Sequence, residues 1–301
     1  TNTDYKDLVL EQLPAISESQ VLCEPQRKNT APCIAYANYR IAALDPEAKI
    51  IVAPSDHLIL KTEEFKSVIR KGLEFVTEND SMLTLGIKPN RPETGYGYIQ
   101  INADEKPRGG VNKVKTFTEK PDHKMAKFFY ESGEFFWNSG IFIWSLKTIS
   151  EAFRMHLQEV DDLFSEGKEI YGTPKEQEFI TSVYSSCKNV SIDYGVMEKA
   201  PNVHVICADF GWSDLGTWGS LHENSEKDKD NNAVTGANVM LYNTIGSIVK
   251  VTDDKLLVVY GLSDFIVVES DGVTLICRKE DEQNIRQIVN DVKMKKGDRY
   301  V

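Results

Sequence analysis

The apolar positions near the start of the chain switch repeatedly between helical and extended spacing. Side chains three to four positions apart predict helices at 5–13, 29–44 and 65–76, of which the second is apolar nearly all round. Continuous apolar runs between them predict strands at 20–23, 49–53 and 82–87. Strands that alternate with helices in this way favour a parallel sheet covered by helices on both faces.

Strand-like runs become more frequent after Gly95, at 96–101, 111–117, 135–144 and 203–208. Helical spacing returns at 147–164, 175–185 and 215–221. The segment 224–232 is polar throughout and is the predicted linker. Five β-type runs follow the predicted linker, and a final helix at 280–293 ends the pattern. The runs are at 236–242, 246–251, 255–260, 264–269 and 272–277. The pattern predicts an α/β domain at 1–223 and a β-rich domain at 224–301.

Composition narrows the class of protein. With 301 residues, 41% of them hydrophobic, the chain can bury a large core. Its net charge of −11 argues against a nucleic-acid polymer or an anionic membrane surface as partner. The five cysteines lack metal-type spacing, and their odd number favours a reduced, cytoplasmic protein. Neither a membrane-length apolar stretch nor a signal peptide is evident in the sequence.

Two distant acidic residues follow apolar runs. Asp56 lies in the segment 54–57 (PSDH), and Asp214 lies in the segment 212–216 (WSDLG). Two carboxylates at neighbouring strand ends are suitable ligands for a hard divalent cation that also contacts phosphate oxygens. The simpler alternative is that each aspartate is an ordinary turn or cap residue. His57 is interpreted as a packing or supporting residue, because nothing nearby completes a metal or nucleophile set.

The segment 24–32 (EPQRKNTAP) joins a predicted strand end to a helix start. Asn29 and Thr30 are suitable capping residues, and the free N–H groups of a helix start favour an anion or a nucleotide. The carboxylate of Glu24 can accept two hydrogen bonds from the N1–H and N2–H₂ edge of guanine. The alternative is a plain capped helix with a solvated turn.

Three further segments are candidates for ligand contact. The loop 86–98 contains Tyr96 and Gly97 and allows backbone to approach a ligand, although it is also compatible with a plain connection. Glu119 and Lys120 form an acceptor and cation pair suited to a sugar hydroxyl and a phosphate, although most such pairs are surface pairs. Asn138 lies inside an aromatic strand, where a polar group is costly without a partner.

Seven segments, in this order, resemble the sugar-1-phosphate nucleotidylyltransferases, specifically the branch that uses GTP and mannose 1-phosphate. They are 24–32, 54–59, 86–98, 119–121, 137–142, 191–199 and 212–218. The resemblance runs from about residue 21 to 218 and continues more loosely to about 292. It implies the nucleotide-diphospho-sugar transferase fold, which is α/β and Rossmann-like with a mixed sheet, and a small C-terminal β-helix-like domain.

The resemblance also implies roles for individual residues. Mg²⁺ would be held by Asp56 and Asp214, which would be catalytic together with Lys120. The nucleotide would contact Glu24, Asn29 and Thr30. The sugar phosphate would contact Tyr96, Gly97, Glu119, Lys120, Asn138 and Asp193.

The family pattern includes an opening strand and a glycine-rich loop that would lie before Thr1. The chain as printed is therefore expected to be a fragment that binds nucleotide weakly and turns over little. Two alternatives stay open, namely a non-catalytic regulatory subunit and a glucose-1-phosphate transferase that uses UTP or dTTP. The expected partners are GTP and mannose 1-phosphate, and the β-rich tail offers a surface for a homodimer.

Overall fold

Two units make up the computed structural model, which describes residues 1–252 and 254–300. The first unit comprises Thr1–Ser55 and Ile59–Trp212, and the second comprises Asp56–Leu58 and the residues from Ser213 onward. The predicted domains at 1–223 and 224–301 are segments expected to fold independently. A division of the structure into two units in space does not test independent folding, so these domain limits stay a prediction. Within the described residues, no helix combines the length and apolar character needed to span a membrane.

The strands up to Ser213 are β1 Lys49–Val52, β2 Leu58–Ile59, β3 Met82–Ile87, β4 Gly97–Ile101, β5 Asn112–Thr118, β6 Phe135–Ser145, β7 Val203–Cys207 and β8 Trp212–Ser213. Six of them form one sheet in the order β1-β6-β3-β7-β5-β4, with β6 also paired to β4, and the short strands β2 and β8 pair separately. The strands at 49–53, 82–87, 96–101, 111–117, 135–144 and 203–208 are thereby confirmed to within two residues.

The sheet is mixed, so the parallel sheet predicted from the strand–helix rhythm is wrong. β3 and β7 run parallel, but β6 is antiparallel to β1, β3 and β4. The cause is that β6 inserts between β1 and β3, which therefore do not pair with each other. The loop between β4 and β5 also lacks a crossover helix, and these strands return antiparallel.

The helices of the first unit are α1 Lys6–Gln12, α2 Thr30–Ala42, α3 Thr62–Glu78, α4 His123–Ser132, α5 Leu146–His156, α6 Gln158–Ser165 and α7 Glu176–Ser186. The sequence did not predict α4, which Asp122 caps by accepting a hydrogen bond from Met125 N–H at 2.8 Å. The helical stretch predicted at 147–164 consists of two helices that meet at Leu157.

The strand predicted at 20–23 is wrong. A 3₁₀ turn, Glu18–Gln20, precedes this segment, and its neighbour Glu24 makes an isolated bridge to Asn2 instead of joining a sheet. The apolar run is nevertheless packed, since Cys23 is only 7% exposed. Burial without a partner strand explains why an apolar run alone misled the prediction.

The sheet positions the candidate site because side chains of β3 alternate between its two faces. Met82 belongs to an apolar cluster with residues of α2, α5 and α7, whereas Leu83 and Leu85 belong to a cluster with residues of α3. All three side chains are completely buried. Helices therefore cover both faces, as predicted, and β3 is a fully buried inner strand of the sheet.

The second unit begins its regular structure with α8 Trp218–Asn224 and ends it with α9 Ile285–Lys296. Its strands are β9 Ala233–Thr235, β10 Val239–Tyr242, β11 Ile248–Lys250, β12 Leu257–Tyr260, β13 Phe265–Ser270 and β14 Val273–Arg278. β10 pairs in parallel with β12, and β11 pairs in parallel with β9 and β13. The five predicted β-type runs are confirmed, and β9 is an additional strand.

The polar segment at 224–232 is anchored at its C-terminal end. Asn232 is 1% exposed, and its amide donates to Thr244 O at 2.8 Å and to Asp228 Oδ2 at 3.0 Å. Its Oδ1 accepts a hydrogen bond from Ser247 N–H at 2.9 Å. Residues 226–231 are exposed, so only the C-terminal end of the segment is anchored to the β-rich unit, and the linker stays a prediction.

We expect Asn232→Ala to lower the free energy of unfolding by about 3 kcal/mol, because it leaves buried partner groups without hydrogen bonds. Urea unfolding of the variant checks this. The matched control is Asn290→Ala on α9, where the asparagine is exposed. Equal stability of the two variants would contradict the role given to Asn232.

Candidate active site

Asn138 lies in β6 and is the centre of a polar cluster on the sheet. Its Oδ1 accepts a hydrogen bond from Thr84 Oγ1 of β3 at 2.9 Å, and its Nδ2 donates to Asp193 Oδ1 at 3.0 Å. The side chains of Asn138 and Thr84 are buried, with 8% and 0% exposure. The partner that the sequence required for a polar group in an aromatic strand is therefore present.

Glu119 and Lys120 follow the end of β5, and Gly97 begins the neighbouring strand β4. Lys120 has φ +45°, so the chain turns sharply there, and its Nζ lies 3.2 Å from Glu119 Oε1. A Cβ atom on Gly97 would overlap Glu119 Oε2 and would lie 3.2 Å from Asn138 Cβ. Gly97 thus leaves the space in which the carboxylate of Glu119 meets the cluster around Asn138.

The surroundings of the carboxyl groups of Glu119 and Asp193 favour their protonated forms. The pKa of Glu119 is raised to about 7, mainly by burial and secondly by the negative charge of Asp193. The ammonium of Lys120 lowers this pKa but does not cancel the two effects. Burial also raises the pKa of Asp193, against the hydrogen bond from Asn138. Two largely buried acids near one exposed lysine are well placed to hydrogen-bond polar groups of a ligand.

A pH dependence of stability follows from Glu119. The folded state keeps its proton between the ordinary pKa of 4.5 and about 7, while the unfolded chain has already lost it. This contribution to stability is therefore complete below the ordinary value and is lost as the pH rises through about 7. From about pH 5 to about pH 8, we expect Glu119→Gln to gain on the order of 2 kcal/mol relative to wild type.

Urea unfolding at several pH values measures this difference. Glu131→Gln is the control, because Glu131 is an exposed glutamate that also has a lysine partner. Its Oε1 lies 3.8 Å from Lys127 Nζ. The prediction fails if wild type and Glu119→Gln lose stability with pH at the same rate.

The segment around Glu24 leads into α2. Glu24 Oε1 accepts a hydrogen bond from Tyr184 OH at 2.8 Å, which orients the carboxylate. The thiol of Cys33 has its pKa raised to about 11 by burial first and by Glu24 second. A cleft of about 270 Å³ is lined by Glu24, Cys33 and Tyr36, among others.

Asn29 and Thr30 form the start of α2. Asn29 has φ +69°, and its side chain accepts a hydrogen bond from Thr30 N–H. Thr30 Oγ1 accepts a hydrogen bond from Ile192 N–H at 2.9 Å, and Ile192 immediately precedes Asp193. The predicted nucleotide segment is thereby tied to the cluster around Asn138 through one peptide.

The two aspartates both lie next to His57. The carboxylates of Asp56 and Asp214 raise the pKa of His57, but its burial lowers that pKa by more. β2 and β8 bring their segments together, and the pairing continues with Leu60 N–H donating to Gly211 O at 3.1 Å. Asp214 Oδ1 also accepts a hydrogen bond from Gly216 N–H at 2.9 Å, which is the turn role that the simpler alternative proposed.

These aspartates fit a divalent cation that shares its ligands with a substrate. Asp56 is exposed and Asp214 is half-buried, and both supply hard oxygen donors. Among the residues described, no group of three or more His, Cys, Asp and Glu side chains is arranged to hold a metal. Phosphate oxygens and water would have to complete the coordination, as is common for Mg²⁺.

Known proteins contain the same kinds of sheet and β-rich unit. The nucleotidyl transferase family matches residues 1–231. The chain belongs to the nucleotidyl transferase family. Residues 237–292 match the MannoseP isomerase/GMP-like beta-helix domain. The mixed-sheet nucleotide-diphospho-sugar transferase fold and the β-helix-like C-terminal part, both implied by the sequence resemblance, are confirmed.

Individual relatives cover nearly the whole chain. It is 35% identical to alginate biosynthesis protein AlgA of Pseudomonas syringae pv. tomato, over 96% of this chain and 60% of that protein. It is 30% identical to mannose-1-phosphate guanylyltransferase of Escherichia coli, over 96% of this chain and 63% of that protein. The crystal structure of mannose-1-phosphate geranyltransferase from Thermus thermophilus is similar with a TM-score of 0.81 and 27% identity, over 97% and 83% of the two chains. The chain thus spans about three fifths of the length of these curated relatives.

Within this nucleotidyl transferase chain, Tyr96 is placed differently from the other predicted contacts. It is 5% exposed, and its ring packs edge-on against Trp137 and Trp212 at centroid distances of 5.0 and 5.2 Å. This packing fixes the loop that leads to Gly97.

A cleft of about 520 Å³ among α2, α5 and α6 is lined by none of the predicted residues.

Sequence reasoning missed Thr84 and Tyr184, whose hydroxyls orient Asn138 and Glu24. Thr84 is a polar residue in an otherwise apolar strand, which is a usable signal. Tyr184 lies on α7, 160 residues after Glu24 along the chain, and nothing local distinguishes it from a core tyrosine.

Proposed function

We propose that the protein transfers a guanylyl group from GTP to mannose 1-phosphate, giving GDP-mannose and pyrophosphate. The observation that carries the proposal is the link from the nucleotide segment at Thr30, through Ile192 and Asp193, to Asn138. It links the segment proposed to bind the base, at the start of α2, to the cluster proposed to bind the sugar, on the sheet. The name of the Escherichia coli relative, mannose-1-phosphate guanylyltransferase, supports the same chemistry, and the name of the Thermus thermophilus protein contains the same sugar phosphate.

The reaction needs positioning more than proton transfer. An oxygen of the sugar phosphate, already anionic, attacks the α-phosphorus of GTP. A new P–O bond forms as the bond between the α-phosphorus and the oxygen bridging to the β-phosphorus breaks, and pyrophosphate leaves with that electron pair. The protein's task is to hold two anions in line and to offset their charge.

The described residues divide this task. Glu119 and Asn138 orient the hexose by hydrogen bonds, and Asp193 holds the amide of Asn138. The ammonium of Lys120 pairs with Glu119, and because its side chain is 61% exposed it can also reach the sugar phosphate. Asp56 and Asp214 would hold Mg²⁺, which when bound supplies positive charge next to the reacting phosphates.

Recognition of guanine is assigned to Glu24. Tyr184 OH donates a hydrogen bond to Glu24 Oε1. Each carboxylate oxygen can accept a further hydrogen bond, so the pair can bind the N1–H and N2–H₂ donors of the base. Asn29 and Thr30 shape the start of α2 beside it. Uracil and thymine lack this pair of donors, so Glu24 favours GTP over UTP or dTTP.

A pyrophosphate-release assay with the purified protein tests the proposal. The panel pairs GTP, UTP, dTTP and ATP with mannose 1-phosphate and glucose 1-phosphate. We expect the highest kcat/KM for GTP with mannose 1-phosphate. Faster reaction of glucose 1-phosphate with UTP or dTTP would favour the alternative transferase. Substrate binding without pyrophosphate release would favour the regulatory subunit.

A further inference from the structure

A π-helical turn, Asp193–Met197, lies between the sugar-binding residues and α2. Such turns are rare and occur frequently at functional sites. This one contacts three separate segments, since Ile192 bonds to Thr30, Asp193 bonds to Asn138, and Tyr194 bonds to Glu119. The turn therefore acts as a shared support for both sides of the candidate site.

Both polar groups of the Glu119 backbone form hydrogen bonds with residues in this turn or directly after it. Its N–H donates to Glu198 Oε1 at 3.0 Å, and its carbonyl oxygen accepts a hydrogen bond from Tyr194 OH at 3.4 Å. Tyr194 is 48% exposed, and Glu198 is also exposed, so neither side chain fills the core. Regular strand pairing ends one residue earlier, at Thr118, and Lys120 has a left-handed backbone.

We propose that Glu198, assisted by Tyr194, is a positioning residue that holds Glu119 at the place where it meets the sugar of the sugar 1-phosphate. Glu198 acts through Glu119 and does not itself contact substrate. The nature of the substrate rests on the proposed function, whereas the hold on Glu119 is a property of the protein alone.

Glu198 has two separable effects on its neighbours. Its carboxylate accepts the N–H of Glu119, and its negative charge raises the pKa of both Glu119 and Asp193. Lys120 lowers the pKa of both acids, and the hydrogen bond from the amide of Asn138 lowers that of Asp193. Glutamine keeps a carbonyl oxygen that can accept the N–H but has no charge, whereas alanine removes both effects.

The kinetic experiment compares Glu198→Ala, Glu198→Gln and Tyr194→Phe in the full-length protein. For Glu198→Ala we expect KM for mannose 1-phosphate to rise about tenfold, with KM for GTP changed less than about twofold. Tyr194→Phe should give a smaller rise in the same KM. Glu198→Gln should keep a KM near that of wild type at neutral pH, and the acid limb of its pH profile should move to lower pH.

Hydrogen–deuterium exchange of the peptide that contains Glu119 provides a readout without substrate. We expect faster exchange in Glu198→Ala and wild-type exchange in Glu198→Gln. The control is Glu178→Ala, which changes an exposed glutamate on α7. Unchanged exchange in Glu198→Ala overturns the proposal whatever the activity, as do equal rises of both KM values. A wild type inactive towards every pair in the panel would instead contradict the proposed function.

Discussion

Turnover is expected to fall by at least about 100-fold in the full-length protein when Asp214 is replaced by asparagine. Asparagine keeps an oxygen that can accept the hydrogen bond from Gly216 N–H, so the turn after β8 is retained. It removes the negative charge that makes the side chain a strong ligand for Mg²⁺. The loss should therefore appear in kcat and in the Mg²⁺ dependence, with the free energy of unfolding nearly unchanged.

Asp209→Asn is the matched control, because Asp209 is 83% exposed and pairs with Lys61 at 2.6 Å. Electron paramagnetic resonance of Mn²⁺ in the presence of GTP provides a readout besides activity, and its signal should show weaker binding to Asp214→Asn alone. Wild-type turnover by Asp214→Asn across a Mg²⁺ titration would remove the metal assignment.

The second large effect is expected for Gly97→Ala. The backbone of Gly97 tolerates alanine, but the new Cβ would overlap Glu119 Oε2 and press on Asn138. The carboxylate of Glu119 must then move by a fraction of an ångström or more, away from the hexose. Misplacement on this scale lowers kcat/KM for mannose 1-phosphate by on the order of 100-fold.

The kinetics of the variant with each substrate varied in turn measure this loss. The control is Gly219→Ala, where the added Cβ makes an ordinary contact with Glu282 at 3.4 Å. If Gly97→Ala retained wild-type kcat/KM for the sugar phosphate, Glu119 and Gly97 would not adjoin the bound hexose.

Elements with strong local signals were predictable from the sequence. β3 is a continuous apolar run and was predicted at its observed limits, and α2 has both a capping residue and a proline near its start. The direction of β6 was not predictable, because an apolar run has the same pattern whether its neighbours run parallel or antiparallel. Long-range pairing decides that direction, and no local residue records it.

The candidate site shows the same division. Asn138 could be recognised because a polar residue in an aromatic strand demands a partner, and Gly97 could be recognised from its loop. The partners themselves, Asp193 and Thr84, lie 55 and 54 residues away along the chain and meet Asn138 only after folding. Tyr96 carries the opposite lesson, because its packing role between two tryptophans cannot be told from a ligand contact by residue type.

The place of Asn138 within β6 constrains the design of inhibitors. Asn138 pairs with Gly86 of β3 and with Gly97 of β4, so the surface beneath the proposed sugar site is part of the sheet itself. A compound anchored there would meet a target that deforms little. Mutations that evade it would also disturb the two neighbouring strands, so resistance should arise first in the surrounding loops.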